Sequence, residues 1–276
     1  MSTDNAITQW KDYKFDPRYL IIIFLFSFVV AGQTYLNFLQ GFEAIIASVL
    51  TTTITEMILS RIFLKKTIFP LSAFITGLGI SLLIASNYIW PYIVTGIIAI
   101  GLKYLLRYKG AHVFNPNNIA VVLMITILPS FVVVSPKQWT NGFLMMTIII
   151  CLGFLLVKFA KRIEVCLSFI ITFLVFAFIR HIVYGAPLFA ALGPLLGAST
   201  QLFIFFMITD PKTSPKTTKG KIAYGITIAT IDAILRINRI PFAPFYALFI
   251  TCIVFTLPYR YFTNKITSLR SLEERI

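Results

Sequence analysis

Charged residues are scarce in this chain of 276 residues. Only 12% of the residues are Asp, Glu, Lys or Arg, whereas 58% are hydrophobic and the mean hydropathy is +0.87. Soluble globular domains carry about 25% charged residues, so this composition excludes a soluble domain. The sequence instead predicts a polytopic membrane protein.

Cysteine is scarce as well, and its spacing excludes two further classes of protein. Cys151, Cys166 and Cys252 show neither a C-x-x-C pair nor a Cys/His pattern, so no disulfide framework and no metal site is predicted. A dinucleotide-binding fingerprint is also missing, because Gly77-Leu78-Gly79 lies inside a hydrophobic segment and lacks the third glycine. Any NADH chemistry would belong to another chain, and we predict no catalytic residue here.

Long hydrophobic segments are what the chain does contain. A helix needs roughly 20 apolar residues to cross a bilayer core about 30 Å thick, and the sequence predicts ten such segments in an all-α bundle. They lie at 19–38, 43–63, 70–86, 89–106, 118–135, 143–158, 164–181, 188–208, 222–237 and 241–259. We expect a membrane domain over residues 19–260, with a cytoplasmic segment 1–18 before it and a cytoplasmic tail 261–276 after it.

Basic residues predict the orientation of these segments. All but Lys137, Arg180, Arg236 and Arg239 of the 24 Lys and Arg residues belong before the first segment or beside the end of an even-numbered one. Because Lys and Arg in short loops are retained in the cytoplasm, both termini are predicted to be cytoplasmic. Anionic lipid headgroups beside these loops account for the net charge of +14, and no nucleic-acid partner is expected.

Two polar stretches flank hydrophobic segments on the same predicted side of the membrane. Asn115-Pro116-Asn117-Asn118 opens the fifth segment, and Thr209-Asp210-Pro211 ends the eighth segment on a carboxylate. Asparagine amides clustered at a helix N-terminus can bind a polar ring edge or an anion, whereas plain N-capping by Asn115 or Asn117 is the structural alternative. The shared side favours a site that both stretches form.

Two further carboxylates lie inside hydrophobic segments. Glu56 follows a run of threonines in the second segment, where a buried carboxylate favours a functional role over a structural salt bridge with Arg61. Asp232 stands four residues before Arg236 in the ninth segment. This spacing predicts an i,i+4 ion pair, which is a structural interpretation.

Several short motifs resemble the signatures of the NqrB/RnfD family. They are Val113-Phe114-Asn115-Pro116 and Phe206-Met207-Ile208-Thr209-Asp210-Pro211, the latter followed by Lys219-Gly220-Lys221 and Ala223-Tyr224-Gly225. Members of this family are flavin-carrying membrane subunits of the bacterial sodium-pumping NADH:quinone oxidoreductase and of the Rnf ferredoxin:NAD complex. Glu56 and Thr76-Gly77 are similar to the family as well, and the resemblance covers residues 42–258. The stretch 206–212 is most similar to short members found in enediyne biosynthesis clusters.

The resemblance implies a fold, a location and a ligand. The family is built as two inverted five-helix halves, similar to urea transporters, in the bacterial cytoplasmic membrane, and its members act beside other subunits and membrane lipids. A non-covalent flavin, riboflavin or FMN, is expected near the cytoplasmic side. Carried onto this chain, the resemblance points to Asn115. Together with the local chemistry, the expected cofactor-binding residues are Phe114, Asn115, Asn118, Thr209 and Asp210, and an ion or proton pathway is expected at Glu56 and Thr76.

One departure from the family pattern affects the cofactor. Redox-active members carry a D-G-x-S-G-A-T type motif whose threonine holds FMN covalently in the loop after the fifth span, but the corresponding loop 135–142 has no such motif. Gly197-Ala198-Ser199-Thr200 reads similarly but lies within the eighth segment, where Pro194 is expected to bend the helix. Covalent FMN is not predicted. A flavin-free channel or carrier, and a membrane scaffold for a partner enzyme, are the competing functions.

Overall fold

The computed structural model describes residues 16–35, 38, 40–65, 69–108, 110–134 and 143–263. The predicted cytoplasmic segment 1–18 and tail 261–276 lie almost wholly outside these residues, and so does the loop 135–142. Helices account for most of the described chain, so the predicted helical class is confirmed.

Helices follow one another with short connections along the chain. The helices are α1 (Pro17–Thr34), α2 (Phe42–Leu64), α3 (Leu71–Leu83), α4 (Trp90–Leu105), α5 (Pro116–Ile127), α6 (Phe143–Ala160), α7 (Ile163–Tyr184), α8 (Leu188–Leu196), α9 (Ala198–Leu202), α10 (Thr218–Ile237) and α11 (Ala243–Thr251). Helix α9 continues into a π-helical turn at Phe203–Met207, and α11 continues into another at Cys252–Thr256. Proline at the first turn starts α1, α4 and α5, where its missing N–H leaves no bond unmade.

Two of the predicted segments are helical over only part of their length. Helix α3 has 13 residues, which is about 20 Å of helix, and the chain then becomes extended as β1 (Ile84–Ala85). Helix α5 likewise ends before β4 (Val133–Val134), and the two short strands pair antiparallel with Ile84 opposite Val134. Their backbone groups thus bond to each other at the point where both helices stop. A second two-stranded ladder joins β2 (Arg107–Tyr108) to β3 (Ala111–His112).

The eighth predicted segment is bent at the expected position. Pro194 lies inside α8, Gly197 is extended, and the axis turns by 55° between Leu188–Leu196 and Ser199–Met207. A proline within a helix removes one backbone hydrogen bond and clashes with the preceding turn. The predicted bend is therefore confirmed.

By length and composition, three helical stretches of the described residues are suited to crossing a bilayer. They are Phe42–Leu64, Ile163–Tyr184 and Ala243–Thr263, and the bent pair would make a fourth if it forms one span. Other apolar helices, among them α3, α4 and α5, are shorter than 18 residues. The chain is thus a helical membrane protein, and the number of its membrane crossings stays a prediction.

Close packing of α2 on α4, and of α7 on α10, forms the two most extensive helix contacts. Glycine permits both approaches. A Cβ atom on Gly96 would lie 3.2 Å from Thr52 Cγ2, and one on Gly225 would lie 2.6 Å from the Val165 carbonyl oxygen. Small residues bring helix backbones together in membrane proteins, where lipid tails provide no hydrophobic drive between helices.

Candidate functional site

Asn115 caps helix α5 and also contacts Asp210. Its backbone is extended, and its Oδ1 accepts hydrogen bonds from the backbone N–H groups of Asn117 and Asn118 at 3.1 and 3.2 Å. The N-capping alternative is therefore confirmed. The same side chain donates from Nδ2 to Asp210 Oδ2 at 3.3 Å. The structure thus brings the two polar stretches of the sequence together, although their role in binding a ligand stays a prediction.

Asp210 follows the π-helical turn Phe203–Met207, which closes with an i→i+5 hydrogen bond from Ile208 N to Phe203 O. Thr209 Oγ1 donates to the Phe205 carbonyl oxygen at 2.5 Å, which satisfies an acceptor left free at the helix end. Such π-helical turns are frequent at functional sites because they redirect the side chains that follow them. Here Asp210 is aimed at the start of α5.

The Asp210 carboxyl group is surrounded by donors. Oδ1 accepts from Lys212 N at 2.9 Å, and Oδ2 lies 3.4 Å from His112 Nε2. Burial opposes ionisation of this carboxyl group, but the hydrogen bond and charge of His112 and the Lys212 N–H together hold the pKa of Asp210 below its usual range. Asp210 is therefore an anion at neutral pH.

Two arginines fix the loop that carries Asp210. Arg260 Nη1 donates to the His112 carbonyl oxygen at 3.0 Å, and Arg260 Nη2 donates to the Lys212 carbonyl oxygen. From the other side, Arg162 Nε donates to Ser214 Oγ at 2.7 Å. The Arg260 contacts join the β2–β3 hairpin to the loop after the π-helical turn, and the Arg162 contact holds that loop at Ser214. These bonds fix the backbone that positions His112 and Asp210.

A cavity of about 670 Å³ opens beside this cluster, within the range typical of small-molecule sites. Its walls come from α1, α2, α3, α4, α6, the hairpin, the start of α5 and the π-helical turn. Apolar side chains such as Leu25, Leu156 and Phe206 form much of its surface. His112, Asn115 and Asp210 supply polar groups to the same space. The cavity therefore offers an apolar wall next to a small number of oriented polar atoms.

A second polar cluster lines the same cavity. Lys103 Nζ lies 2.6 Å from Glu56 Oε2 and donates to Ser72 Oγ at 2.8 Å. Tyr104 OH donates to Glu56 Oε1 at 3.0 Å. Both carboxylate oxygens are thus bonded, which is what allows a carboxylate to be buried here. The partner of Glu56 is Lys103 on α4 and not Arg61, so the salt bridge that the sequence suggested as an alternative is wrong.

Five of the seven predicted site residues line this one cavity, and they are Glu56, Thr76, Asn115, Thr209 and Asp210. The other two lie outside its lining. Phe114 stacks on Phe249 with ring centroids 5.3 Å apart, and the fully buried Asn118 donates to the Phe245 carbonyl oxygen at 3.2 Å. Both contacts attach the start of α5 to α11, which indicates packing at these two positions.

Sequence reasoning missed Lys103 and His112. The basic-residue pattern groups Lys103 with the residues at the end of the fourth segment. The structure places it on the buried face of α4, after Thr95, Gly96, Ala99 and Ile100, and this spacing of three to four residues is the signal for an inward position. His112 gave no such signal, because its position depends on the β2–β3 hairpin and on a contact with a loop 98 residues away in sequence.

The predicted ion pair in α10 is confirmed. Arg236 Nε lies 2.7 Å from Asp232 Oδ2, and Asp232 is fully buried. Arg180 on α7 lies close by, since the guanidinium groups of Arg180 and Arg236 are 5.7 and 5.3 Å from the ring centre of Phe173. No group of three or more His, Cys, Asp or Glu side chains suited to a metal ion occurs within the described residues.

Comparison with known proteins finds relatives of one kind. Residues 138–267 match the family model described as the NQR2, RnfD, RnfE family. The chain is 29% identical to a Methanosarcina acetivorans protein described as a subunit of an ion-translocating oxidoreductase complex. This similarity extends over 218 residues, which cover 70% of this chain and 72% of that protein.

Two bacterial proteins with the same description match over shorter stretches. The Erwinia tasmaniensis protein is 32% identical over 100 residues, covering 36% of this chain and 27% of the relative. The Rhodobacter capsulatus protein is 47% identical over 47 residues, covering 17% of this chain and 13% of the relative. The paired Asn115 and Asp210 stretches, the apolar helices and these similarities agree, and together they support the NQR2, RnfD, RnfE family for this chain.

Proposed function

We propose that this chain is a membrane subunit of a complex that couples electron transfer to ion translocation. Its relatives are described as subunits of an ion-translocating oxidoreductase complex, which supports both the activity and the presence of other subunits as partners. The observation that carries the proposal is that the Asn115–Asp210 contact and the Glu56–Lys103 pair line the same cavity. A ligand site and a charged site therefore share one space.

The proposed architecture is two inverted five-span halves with both termini in the cytoplasm of a bacterium. Helical structure at each of the ten predicted segments within the described residues supports this arrangement. The helix pairs α2–α4 and α7–α10 are the second with the fourth and the seventh with the ninth segment, so they correspond when the chain is shifted by five segments. Each pair carries a buried carboxylate beside a basic side chain, Glu56 with Lys103 and Asp232 with Arg236.

The cavity is proposed to hold a non-covalent flavin, which would act as an electron carrier when bound. The donor set fits such a ring. Asn115 Nδ2 has two N–H groups and uses one on Asp210, so the second is available for a ring carbonyl group. Thr209 Oγ1 donates to Phe205 O and keeps its lone pairs for a ring N–H. The apolar wall at Leu156 and Phe206 suits the dimethylbenzene end.

Glu56 and Thr76 are proposed to form part of the ion or proton pathway. Both line the cavity, and Thr76 Oγ1 donates to the Ser72 carbonyl oxygen at 2.9 Å, one turn away on α3. Because Lys103 already neutralises Glu56, a cation reaches this carboxylate only by replacing the ammonium group. Binding of the cation would thus be coupled to movement of Lys103. The Ser72 hydroxyl oxygen, which now accepts from Lys103, is positioned to bond either the ammonium group or the cation that replaces it.

The flavin proposal is tested on the full chain purified in detergent. A flavin absorption spectrum, with the chromophore released on acid precipitation, is the expected result. The variant Asn115→Ser keeps a capping oxygen but removes the amide donor, and we expect about tenfold weaker flavin binding from it, as for loss of one hydrogen bond in a buried site. Asn87→Ser, an exposed residue outside the cavity, is the matched control.

Other outcomes separate the competing functions. A colourless preparation that takes up no added flavin, but lets a small solute cross liposome membranes, would support a flavin-free channel. A colourless preparation without flux, which copurifies with a partner enzyme, would support a scaffold. Either result contradicts an electron-carrying role for this cavity.

A further inference from the structure

The lining of the cavity carries more positive than negative charge. Among the described residues that line it, four are basic and two are acidic: Arg18, Lys103, Arg107 and Lys212 against Glu56 and Asp210. Lys103 is buried, whereas Arg18 and Lys212 are exposed and Arg107 is half-buried. Positive charge therefore extends from the interior of the cavity to its opening.

Both acidic side chains of the cavity are already engaged. Glu56 bonds to Lys103 and Tyr104 through its two oxygens, and Asp210 bonds to His112, Asn115 and the Lys212 N–H. Each oxygen of the two carboxylates thus already has a bonding partner within the protein. Arg18 has its own partner outside the cavity, since its Nη2 lies 2.5 Å from Asp16 Oδ2.

This leaves Arg107 and Lys212, whose side chains pair with no carboxylate in the described part of the chain. Arg107 donates from Nε to the Lys103 carbonyl oxygen at 3.2 Å, and its guanidinium group lies 4.7 Å from the ring centre of Tyr104. These two contacts position the guanidinium group, and its terminal nitrogens donate no hydrogen bond to the described residues, so their N–H groups are available for a ligand.

Both residues stand on fixed backbone at the same end of the cavity. Arg107 belongs to the β2–β3 ladder, and the Lys212 backbone is bonded to Asp210 through its N–H and to Arg260 through its carbonyl oxygen. Arg107 is paired with His112 in this ladder, and His112 contacts Asp210, two residues before Lys212. The two basic side chains therefore line the same part of the cavity, where an anion between them would be stabilised by both charges.

We propose that the ligand of this cavity carries a phosphate group, so that the site takes FMN in preference to riboflavin. This inference rests on the proposed flavin site. The ring would lie against the apolar wall and the Asn115–Asp210 contact, and the phosphate would lie between Arg107 and Lys212 at the mouth. A guanidinium group matches two phosphate oxygens at once, and an ammonium group adds a compact charge. A phospholipid headgroup offers the same phosphate chemistry and is the other source.

The test is a pair of titrations with the full chain in detergent. FMN and riboflavin are added separately to protein cleared of bound flavin, and quenching of flavin fluorescence reports binding. We expect FMN to bind about tenfold more tightly than riboflavin at low salt, with the difference shrinking at high salt. Arg107→Gln and Lys212→Gln should each weaken FMN binding about fivefold and leave riboflavin binding unchanged.

Lys219→Gln is the matched control, because Lys219 is an exposed basic residue outside the cavity lining. It should alter neither affinity. Equal affinities for FMN and riboflavin in the wild-type chain would overturn the phosphate inference while leaving the flavin site intact. Failure of both flavins to bind would instead contradict the proposed function itself.

Bound lipid is measured in the same preparations. Mass spectrometry of extracted phospholipid should show no change between wild type and the two cavity variants. Loss of an anionic phospholipid from Arg107→Gln and Lys212→Gln, together with equal affinities for the two flavins, would assign these residues to a lipid headgroup and overturn the inference.

Discussion

Lys103 and Glu56 form a nearly buried ion pair in the cavity wall. Their side chains expose only 7% and 11% of their surface, and Ser72 and Tyr104 complete the bonding around them. Removing both charges of a buried pair is often tolerated, whereas removing one leaves the other buried without a partner. The two residues should therefore respond to substitution as a unit.

Lys103→Met is predicted to lower the free energy of unfolding by about 3 kcal/mol or more, because it leaves the Glu56 carboxylate unpaired. The double variant Lys103→Met with Glu56→Gln should recover most of this loss. Thermal unfolding in detergent measures both, and Lys158→Met, an exposed lysine outside the cavity lining, controls for the loss of a lysine. Equal destabilisation of the single and double variants would contradict the coupling.

The candidate site was predictable to different extents at different residues. Asn115 and Asp210 could be paired from the sequence, because each stands beside a hydrophobic segment on the same predicted side. The partner of Glu56 could not be assigned with the same rule, since Lys103 is on another helix 47 residues away. Spacing along a helix shows which face a residue occupies, but the identity of the facing helix follows only from the tertiary fold.

Among the helices, the contact between α7 and α10 depends on Gly225. A Cβ atom there would lie 2.6 Å from the Val165 carbonyl oxygen and 3.1 Å from Phe169 N, and backbone atoms of a packed helix cannot move aside as a flexible side chain can. In contrast, a Cβ atom on Gly101 in α4 would have no neighbour within 4 Å. These two helical glycines form a matched pair.

Gly225→Ala is predicted to destabilise the protein by about 1–3 kcal/mol, the usual range for an overpacked core. Gly101→Ala should leave stability unchanged or raise it by about 0.5–1 kcal/mol, because alanine restricts the unfolded chain and favours helix. The midpoint of thermal unfolding in detergent distinguishes them. If both variants behaved alike, the close α7–α10 contact would not limit packing.

Helix positions followed from the apolar pattern where the segments were long. The predicted segments 43–63 and 164–181 correspond to Phe42–Leu64 and Ile163–Tyr184. The extended ends at Ile84–Ala85 and Val133–Val134 could not be predicted, because a short apolar run suits helix and strand equally. Their pairing with each other decides between the two, and it joins parts of the chain about 50 residues apart.

At the scale of the whole molecule, the orientation in the membrane depends on the basic residues. The net charge of +14 is concentrated in loops predicted to share one side, which favours contact of that side with anionic headgroups. The same side would contain the hairpin, the Asp210 loop and the mouth of the cavity. Orientation of the chain therefore determines from which compartment a soluble electron donor could approach the cavity.

Accessibility of introduced cysteines tests this orientation. The background is Cys151→Ser, since Cys166 and Cys252 are buried. Thr3→Cys and Ser271→Cys lie outside the described residues, so their cytoplasmic location is a prediction from the basic residues alone. A membrane-impermeant maleimide should leave both unlabelled in intact cells and label both after permeabilisation. Labelling of only one terminus in intact cells would contradict an even number of membrane crossings.

Two exposed asparagines provide the opposite expectation. Asn87 lies between α3 and α4, and Asn238 lies just after α10, so Asn87→Cys and Asn238→Cys should be labelled in intact cells. These two loops belong to different predicted halves. With five spans in each half, the direction of crossing alternates along the chain, so the third and the ninth segments both run outward from the cytoplasm. Labelling at Asn87 without labelling at Asn238 would therefore contradict the inverted arrangement even if both termini proved cytoplasmic.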